Sequence, residues 1–100
     1  MTEPDVTHEV RFDASYARTA GLHSVEIDGE TVVYVAPTES LHLLDATATV
    51  VWQALDGDVT LGTLCDELAV AFGVSTTQIR NDVELLVQSL TTLGIVSVAD

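Results

Sequence analysis

The chain has 100 residues, of which 16 are Asp or Glu and only three are basic, giving a formal net charge of −13. This length predicts a single domain, and the 47% hydrophobic content argues against a disordered chain. The charge repels phosphate backbones and therefore disfavours nucleic-acid partners. It favours a neutral or basic partner, or simply keeps the chain in solution.

The sequence predicts a cytoplasmic protein that does not span a membrane. No apolar run approaches the roughly 20 residues that a membrane-spanning helix needs. The N-terminus lacks the basic region and apolar stretch of a signal peptide. Cys65 is the lone cysteine, which fits a reducing compartment, and we expect it to be a buried apolar side chain.

The strands are predicted in the first half of the chain. Residues 1–20 are polar and lack a clear period, which predicts a flexible or weakly ordered segment, with at most a weak first strand. The Asp28-Gly29 turn signal, between alternating apolar residues and the β-branched run 31–35, predicts a hairpin. Pro37 ends the second strand, and a third is expected over residues 40–44. The folded domain is thus predicted at residues 21–100.

Three amphipathic helices are predicted between residues 45 and 93. Asp45, Thr60 and Ser75 are the expected N-caps, and Gly73 is the expected left-handed residue after the second helix. Asp56-Gly57-Asp58 is interpreted as the turn that stops the first helix. The expected core residues are Trp52 on the first helix, Leu61, Leu64, Leu68 and Phe72 on the second, and Ile79, Val83, Leu86, Leu90 and Leu93 on the third. A short last strand is expected over residues 95–98.

This order of elements predicts an α+β fold, a winged helix-turn-helix. It has a three-stranded antiparallel N-terminal sheet, followed by three helices and a short C-terminal strand. Such scaffolds commonly contact DNA with the last helix. That helix has Arg80 as its only basic residue here, beside Asp82 and Glu84, so we expect the scaffold to serve another purpose.

The sequence predicts no catalytic residue, no metal site and no cofactor. The histidines His8, His23 and His42 lack the spacing of metal ligands, and no His or Asn lies near Cys65 in the sequence to activate the thiol. Gly-rich phosphate loops and paired acid–base residues are also missing.

Several motifs, in order along residues 22–98, resemble the PqqD family, which comprises the small pyrroloquinoline quinone biosynthesis protein and its relatives. They are Val33-Tyr34-Val35-Ala36-Pro37, Leu43-Leu44-Asp45-Ala46-Thr47-Ala48 and Val51-Trp52-Gln53-Ala54-Leu55-Asp56-Gly57, followed by residues 68–74, 82–87 and 90–96. The resemblance implies a winged-helix recognition element that binds the leader peptide of a ribosomally made precursor. The leader would add as a strand between the third strand and the third helix. The element would then present the precursor to a modifying enzyme or leader protease of the same pathway.

Carried onto this sequence, the resemblance implies a peptide-binding site on two elements. The site residues are Ser40, Leu41, His42 and Leu43 on the third strand and Asp82, Leu85, Leu86 and Ser89 on the third helix. Which flank of the helix forms the wall stays open, because Arg80, Glu84 and Val87 lie on the other flank. Leu85 lies off the core stripe, which fits either an ordinary exposed leucine or a groove residue.

Two alternatives to leader binding remain at this point. The first is a winged-helix regulator or structural subunit that binds another protein and no leader peptide. The second rests on Glu39-Ser40-Leu41, which weakly resembles the phosphopantetheine attachment motif of acyl carrier proteins. Carrier proteins are all helical, whereas residues 24–36 are predicted as strands.

Overall fold

The computed structural model describes residues 10–99, which form two antiparallel sheets and three α-helices. In chain order the elements are β1 (Ser15–Arg18), β2 (His23–Ile27), β3 (Glu30–Val35), a 3-10 turn (Ala36–Thr38), β4 (Ser40–Leu44), α1 (Ala46–Ala54), β5 (Asp56–Thr60), α2 (Leu61–Phe72), α3 (Thr76–Thr92) and β6 (Val96–Ala99). The strand orders are β2-β3-β4 and β5-β1-β6. The predicted sequence of a three-stranded sheet, three helices and a C-terminal strand is confirmed.

The β2–β3 hairpin forms where the turn signal predicts it. Asp28 and Gly29 have positive φ angles of 55° and 84°, which is typical of the type I′ turn that matches the twist of paired strands. Ile27 pairs with Glu30 across this turn, and Val33 of β3 pairs with His42 of β4. This register buries one face of the sheet against the core, and a slip by one residue would turn that face outward.

The helix boundaries follow the predicted capping residues. Asp45, Thr60 and Ser75 each accept a hydrogen bond from the backbone N–H three residues further on, at 2.8, 3.2 and 3.1 Å. Each bond satisfies one of the N–H groups that a helix leaves unpaired at its start. Gly73 follows α2 in the left-handed conformation, with φ 69°. All four predicted boundary residues are confirmed.

The core lies between the helices and the inner faces of both sheets. Its members from the helices are Ala48, Val51, Trp52, Leu61, Leu64, Cys65, Leu68, Ala69, Ile79, Val83, Val87 and Leu90. Val87, assigned to the opposite flank by the sequence, is buried because α3 packs against both α2 and β6. The expectation that Phe72 and Leu93 are core residues is wrong, since they are 44% and 40% exposed in the last turn of α2 and just after α3.

The second sheet contains β5, which the sequence did not predict, and β1, for which it allowed at most a weak strand. β1 lies within the segment expected to be flexible or weakly ordered, yet it is the central strand between β5 and β6. Asp56-Gly57-Asp58, interpreted as a turn, instead begins β5, where Ala17 pairs with Asp56. Gly57 has a φ of 82°, and a Cβ atom there would lie 3.2 Å from the Cβ of Ala99. The first helix is therefore followed directly by a strand, in which the positive φ and the close Ala99 contact favour glycine at position 57.

Arg18 and Trp52 join β1, α1 and β6. The Arg18 guanidinium lies over the Trp52 ring, donates a 3.1 Å hydrogen bond to the Trp52 carbonyl and donates another to the Gln53 carbonyl. These carbonyls lie at the C-terminal end of α1, where a cation also offsets the helix dipole. The Trp52 Nε1–H donates to the Ile95 carbonyl at 3.1 Å, just before β6.

Cys65 lies fully buried on α2, as predicted. Desolvation raises the pKa of its thiol, an effect that Arg80 partly offsets. The thiol therefore stays protonated at neutral pH, and the thiolate is the form that alkylating reagents attack. We expect iodoacetamide at pH 7 to label the folded protein far more slowly than the denatured protein, as measured by intact mass. Equal rates would show that α2 opens readily.

Candidate functional site

The open edge of β4 is the first component of the candidate site. The two-residue turn makes Ile27 and Glu30 a hydrogen-bonded pair, and such pairs alternate along antiparallel strands. Val33 of β3 therefore directs its backbone N–H and C=O toward β4, where it pairs with His42. Leu41 and Leu43 alternate with His42, so their backbone groups point away from β3, to the side where no described strand lies.

The side chains of β4 divide between the two faces of the sheet. Leu41 and Leu43 are each 68% exposed on the outer face, which points away from the core. Ser40 and His42 are half-buried on the inner face, and the Ser40 hydroxyl is 2.8 Å from that of Thr38. Of the four predicted β4 residues, Leu41 and Leu43 thus present backbone groups at the edge, and the four side chains point in two directions.

An apolar cavity of about 230 Å³ lies between α1, the end of α2 and α3. It is lined by Thr47, Val51, Phe72, Val74, Gln78, Ile79, Asp82, Val83 and Leu86. Two of the predicted residues, Asp82 and Leu86, are therefore in its wall. Phe72 and Val74 were not predicted as site residues, although an aromatic residue beside the helix-ending Gly73 is a signal that could have suggested them.

The predicted α3 residues follow one line along the helix. Asp82, Leu86 and Ser89 are spaced by four and three residues, which places them on the same face. Ser89 lines a second, shallower depression with Gln88, Thr92 and Leu93. Leu85 is 66% exposed and lines neither depression, so it stands at the margin of this face.

On the other flank of α3, Arg80 contacts the N-terminal segment. The Arg80 guanidinium lies 4.8 Å from the centre of the Phe12 ring. The Phe12 carbonyl accepts a 2.8 Å hydrogen bond from the Gly62 N–H, and a Cβ atom on Gly62 would lie 3.1 Å from that carbonyl oxygen. This contact occupies Arg80, whereas Glu84 on the same flank is exposed, as are Asp82, Leu85 and Ser89.

The charges around the cavity and β4 are acidic. Glu39 precedes β4, Asp45 follows it, and Asp82 lines the cavity. The three basic residues lie elsewhere: Arg11 pairs with Asp13 at 3.2 Å, Arg18 lies at the end of α1, and Arg80 contacts Phe12. This part of the molecule is therefore suited to neutral or positively charged ligands.

The described residues contain no group of three His, Cys, Asp or Glu side chains placed to hold a metal ion. His23 and His42 lie on opposite faces of the sheet, because His23 pairs with Tyr34 and His42 with Val33. Within residues 10–99, no helix is both long and apolar enough to cross a membrane.

The family model for PqqD, described as coenzyme PQQ synthesis protein D, matches residues 30–96. The chain belongs to the PqqD family. The match starts with β3 and ends at the first residue of β6, so it includes β4, the cavity and all three helices. The family resemblance inferred from the sequence motifs is confirmed, and β1 and β2 lie outside the matched range.

A solved structure shares the fold of this PqqD family member. It is TbiB1 in complex with the TbiA(beta) leader peptide, with a TM-score of 0.72 and 18% sequence identity. The alignment covers 81% of this chain and 94% of that chain. This likeness confirms the winged-helix α+β fold. No curated protein matches the sequence.

The family motifs of this PqqD member have mainly structural roles. Trp52 and Leu55 are buried, and Asp56-Gly57 starts β5. By contrast, Leu43 is exposed at the open edge and Thr47 lines the cavity. Leu43 and Thr47, together with Val51 of the Trp52 motif, are therefore placed to contact a ligand.

Proposed function

We propose that this chain is a non-catalytic recognition element that binds the leader peptide of a ribosomally made precursor. In this proposal it presents the precursor to a modifying enzyme or leader protease in the cytoplasm. The observation that carries the proposal is the open edge of β4, the strand that leads directly into α1 and its cavity-lining Thr47. Family membership supports it, as does the leader peptide bound by TbiB1, a protein with the same fold.

In the proposed complex the leader adds to β4 as a further strand. Its backbone pairs with the N–H and C=O groups of Leu41 and Leu43, which have no partner strand among the described elements. Alternate leader side chains then face inward, toward the line of Asp82, Leu86 and Ser89. One large apolar side chain of the leader fits the cavity of about 230 Å³.

Titration of the isotope-labelled protein with the leader tests the proposal directly. The probes are synthetic peptides covering the leaders of candidate precursors from the same genome, and we expect a Kd of roughly micromolar or tighter for the cognate leader. Amide shifts should concentrate in residues 40–44 and 79–90, and the affinity should fall with salt because Asp45 and Asp82 attract a basic peptide. Unmoved signals in both ranges would refute the site, and a salt-independent affinity would refute the charge contribution.

Leu85→Ser is expected to weaken leader binding by about five- to tenfold, the effect of losing an apolar side chain that the bound leader would partly bury. Leu85 is 66% exposed, so the variant should keep the wild-type unfolding midpoint. The matched control is Val70→Ser, since Val70 is 84% exposed on α2 and does not line the cavity. An equal loss of affinity in both variants would contradict a role for Leu85 in the groove.

The acyl carrier alternative does not fit this fold. Carrier proteins are all helical, whereas Ser40 lies at the start of a strand within a three-stranded sheet. The protein-interaction alternative has one observation in its favour, an exposed apolar sheet face. That face is compatible with leader binding, because it lies on the side of β4 away from α3.

A further inference from the structure

The outer face of the β2-β3-β4 sheet is apolar and uncovered by any described element. The residues of this face are Val25, Ile27, Val32, Tyr34, Leu41 and Leu43, with His23 and Glu30 at its ends. Val25 and Ile27 are each 59% exposed, and Leu41 and Leu43 are more so. An antiparallel sheet with one solvated face normally alternates apolar and polar residues, so this second apolar face is unusual.

The apolar residues form continuous rows across the three strands. Val25 pairs with Val32, which pairs with Leu43, so one row crosses the whole sheet. Tyr34 lies between His23 and Leu41 in the next row. Contiguous apolar surfaces of this kind mark interaction sites, because isolated exposed side chains are common but joined ones are not.

The charges around this outer face select the chemistry of its partner. Asp28 and Glu30 lie at one end and Glu39 lies at the other, while residues 23–44 contain no Lys or Arg. A second copy of this chain would bring the same acidic rim and a further net charge of −13 to the face. Like charges around an interface are unfavourable, so the rim fits a partner with basic residues.

We infer that this outer face is the docking surface for the modifying enzyme, which would contact it through its own apolar patch ringed by Lys and Arg. The inference rests on the proposed function. A leader strand added to β4 would place alternate side chains beside Leu41 and Leu43, on the same outer face. The bound leader therefore enlarges the docking surface, and the enzyme binds the loaded protein more tightly than the free one.

The double variant Val25→Thr/Ile27→Thr tests this surface. Both residues lie on β2, two strands away from the open edge of β4, and threonine keeps the β-branched shape that strands favour. The probes are the cognate leader peptide, identified by the titration above, and the purified modifying enzyme that acts on the same precursor. We expect unchanged leader affinity, and enzyme affinity for the loaded protein lowered by at least about tenfold relative to wild type. Val70→Thr on α2 is the matched control and should change neither affinity.

Three results would overturn the inference. The first is wild-type enzyme affinity in the double variant, and the second is enzyme affinity that the leader does not raise. The third is a wild-type dimer in sedimentation velocity that the double variant abolishes, since the occupant would then be a second copy. If the wild-type chain fails to bind leader, the proposed function fails separately. In that case, equal enzyme affinities of the wild type and the double variant would also overturn the inference that the enzyme docks on the outer face.

Discussion

Leu43→Pro is expected to weaken leader binding by at least about tenfold while leaving the domain folded. Proline removes the backbone N–H that Leu43 directs toward the open edge of β4. The β3–β4 ladder does not use this N–H, because its hydrogen-bonded pairs include Val33 with His42 and alternate with those of Leu43. Edge strands tolerate proline when its missing N–H faces outward.

Two controls isolate the backbone group in this experiment. Leu43→Val trims the side chain but keeps the N–H, so it should bind the leader within about threefold of wild type. His42→Pro removes an N–H directed toward Val33, so it should lower stability as well as binding. Affinities come from calorimetric titration, and stabilities from thermal unfolding. A Leu43→Pro variant that binds like wild type would rule out strand addition at this edge.

Hydrogen exchange gives the same test without a substitution. In the free protein the amides of Leu41 and Leu43 should exchange quickly, whereas those of His42 and Leu44 are protected by pairing with β3. Leader binding should strongly slow amide exchange only at Leu41 and Leu43. Protection of all four amides in the free protein would show that the edge is already covered.

The sheet that supports the site was predictable because its signals are local. Asp28-Gly29 identifies the hairpin turn, Pro37 ends β3, and Asp45 caps the next helix. Each signal acts within a few residues, so sequence alone places β2, β3 and β4 correctly.

The second sheet was not predictable because its pairing is long-range. Ser15 pairs with Thr60 and with Ala99, residues far apart in the chain, and β1 contributes only Tyr16 to the core. β5 begins with Asp56-Gly57-Asp58, whose local chemistry is that of a turn. Tertiary pairing overrode that preference, since β1 supplies a partner strand for these residues.

The site was predictable in part, and only through the family resemblance. Periodicity could assign Leu86 to the stripe of α3, but it could not show that Asp82 and Leu86 face the end of α2 across a cavity. Phe72 fits a core stripe by spacing alone, and its exposure depends on where α2 ends relative to α3. Such relations between helices are set by packing and leave no local signal in the sequence.

Trp52→Ala is expected to lower the free energy of unfolding by about 3–5 kcal/mol, the usual cost of removing a large buried aromatic side chain. Trp52 is 5% exposed, lies beneath the Arg18 guanidinium and donates a hydrogen bond to the Ile95 carbonyl. Because small domains are stable by only about 5–15 kcal/mol, this loss should move the denaturant midpoint far below that of wild type.

Trp52→Phe separates the indole hydrogen bond from the packing of the ring. The Ile95 carbonyl also accepts a 3.1 Å hydrogen bond from the Thr19 N–H, so it keeps one partner, and the expected loss is about 1–2 kcal/mol. The neighbouring Val51 and Thr47 of α1 line the cavity and stay in place if α1 does. Trp52→Phe should therefore bind the leader within about twofold of wild type at temperatures where it is folded. A much larger loss of affinity would show that Trp52 positions α1 for binding, in addition to stabilising the core.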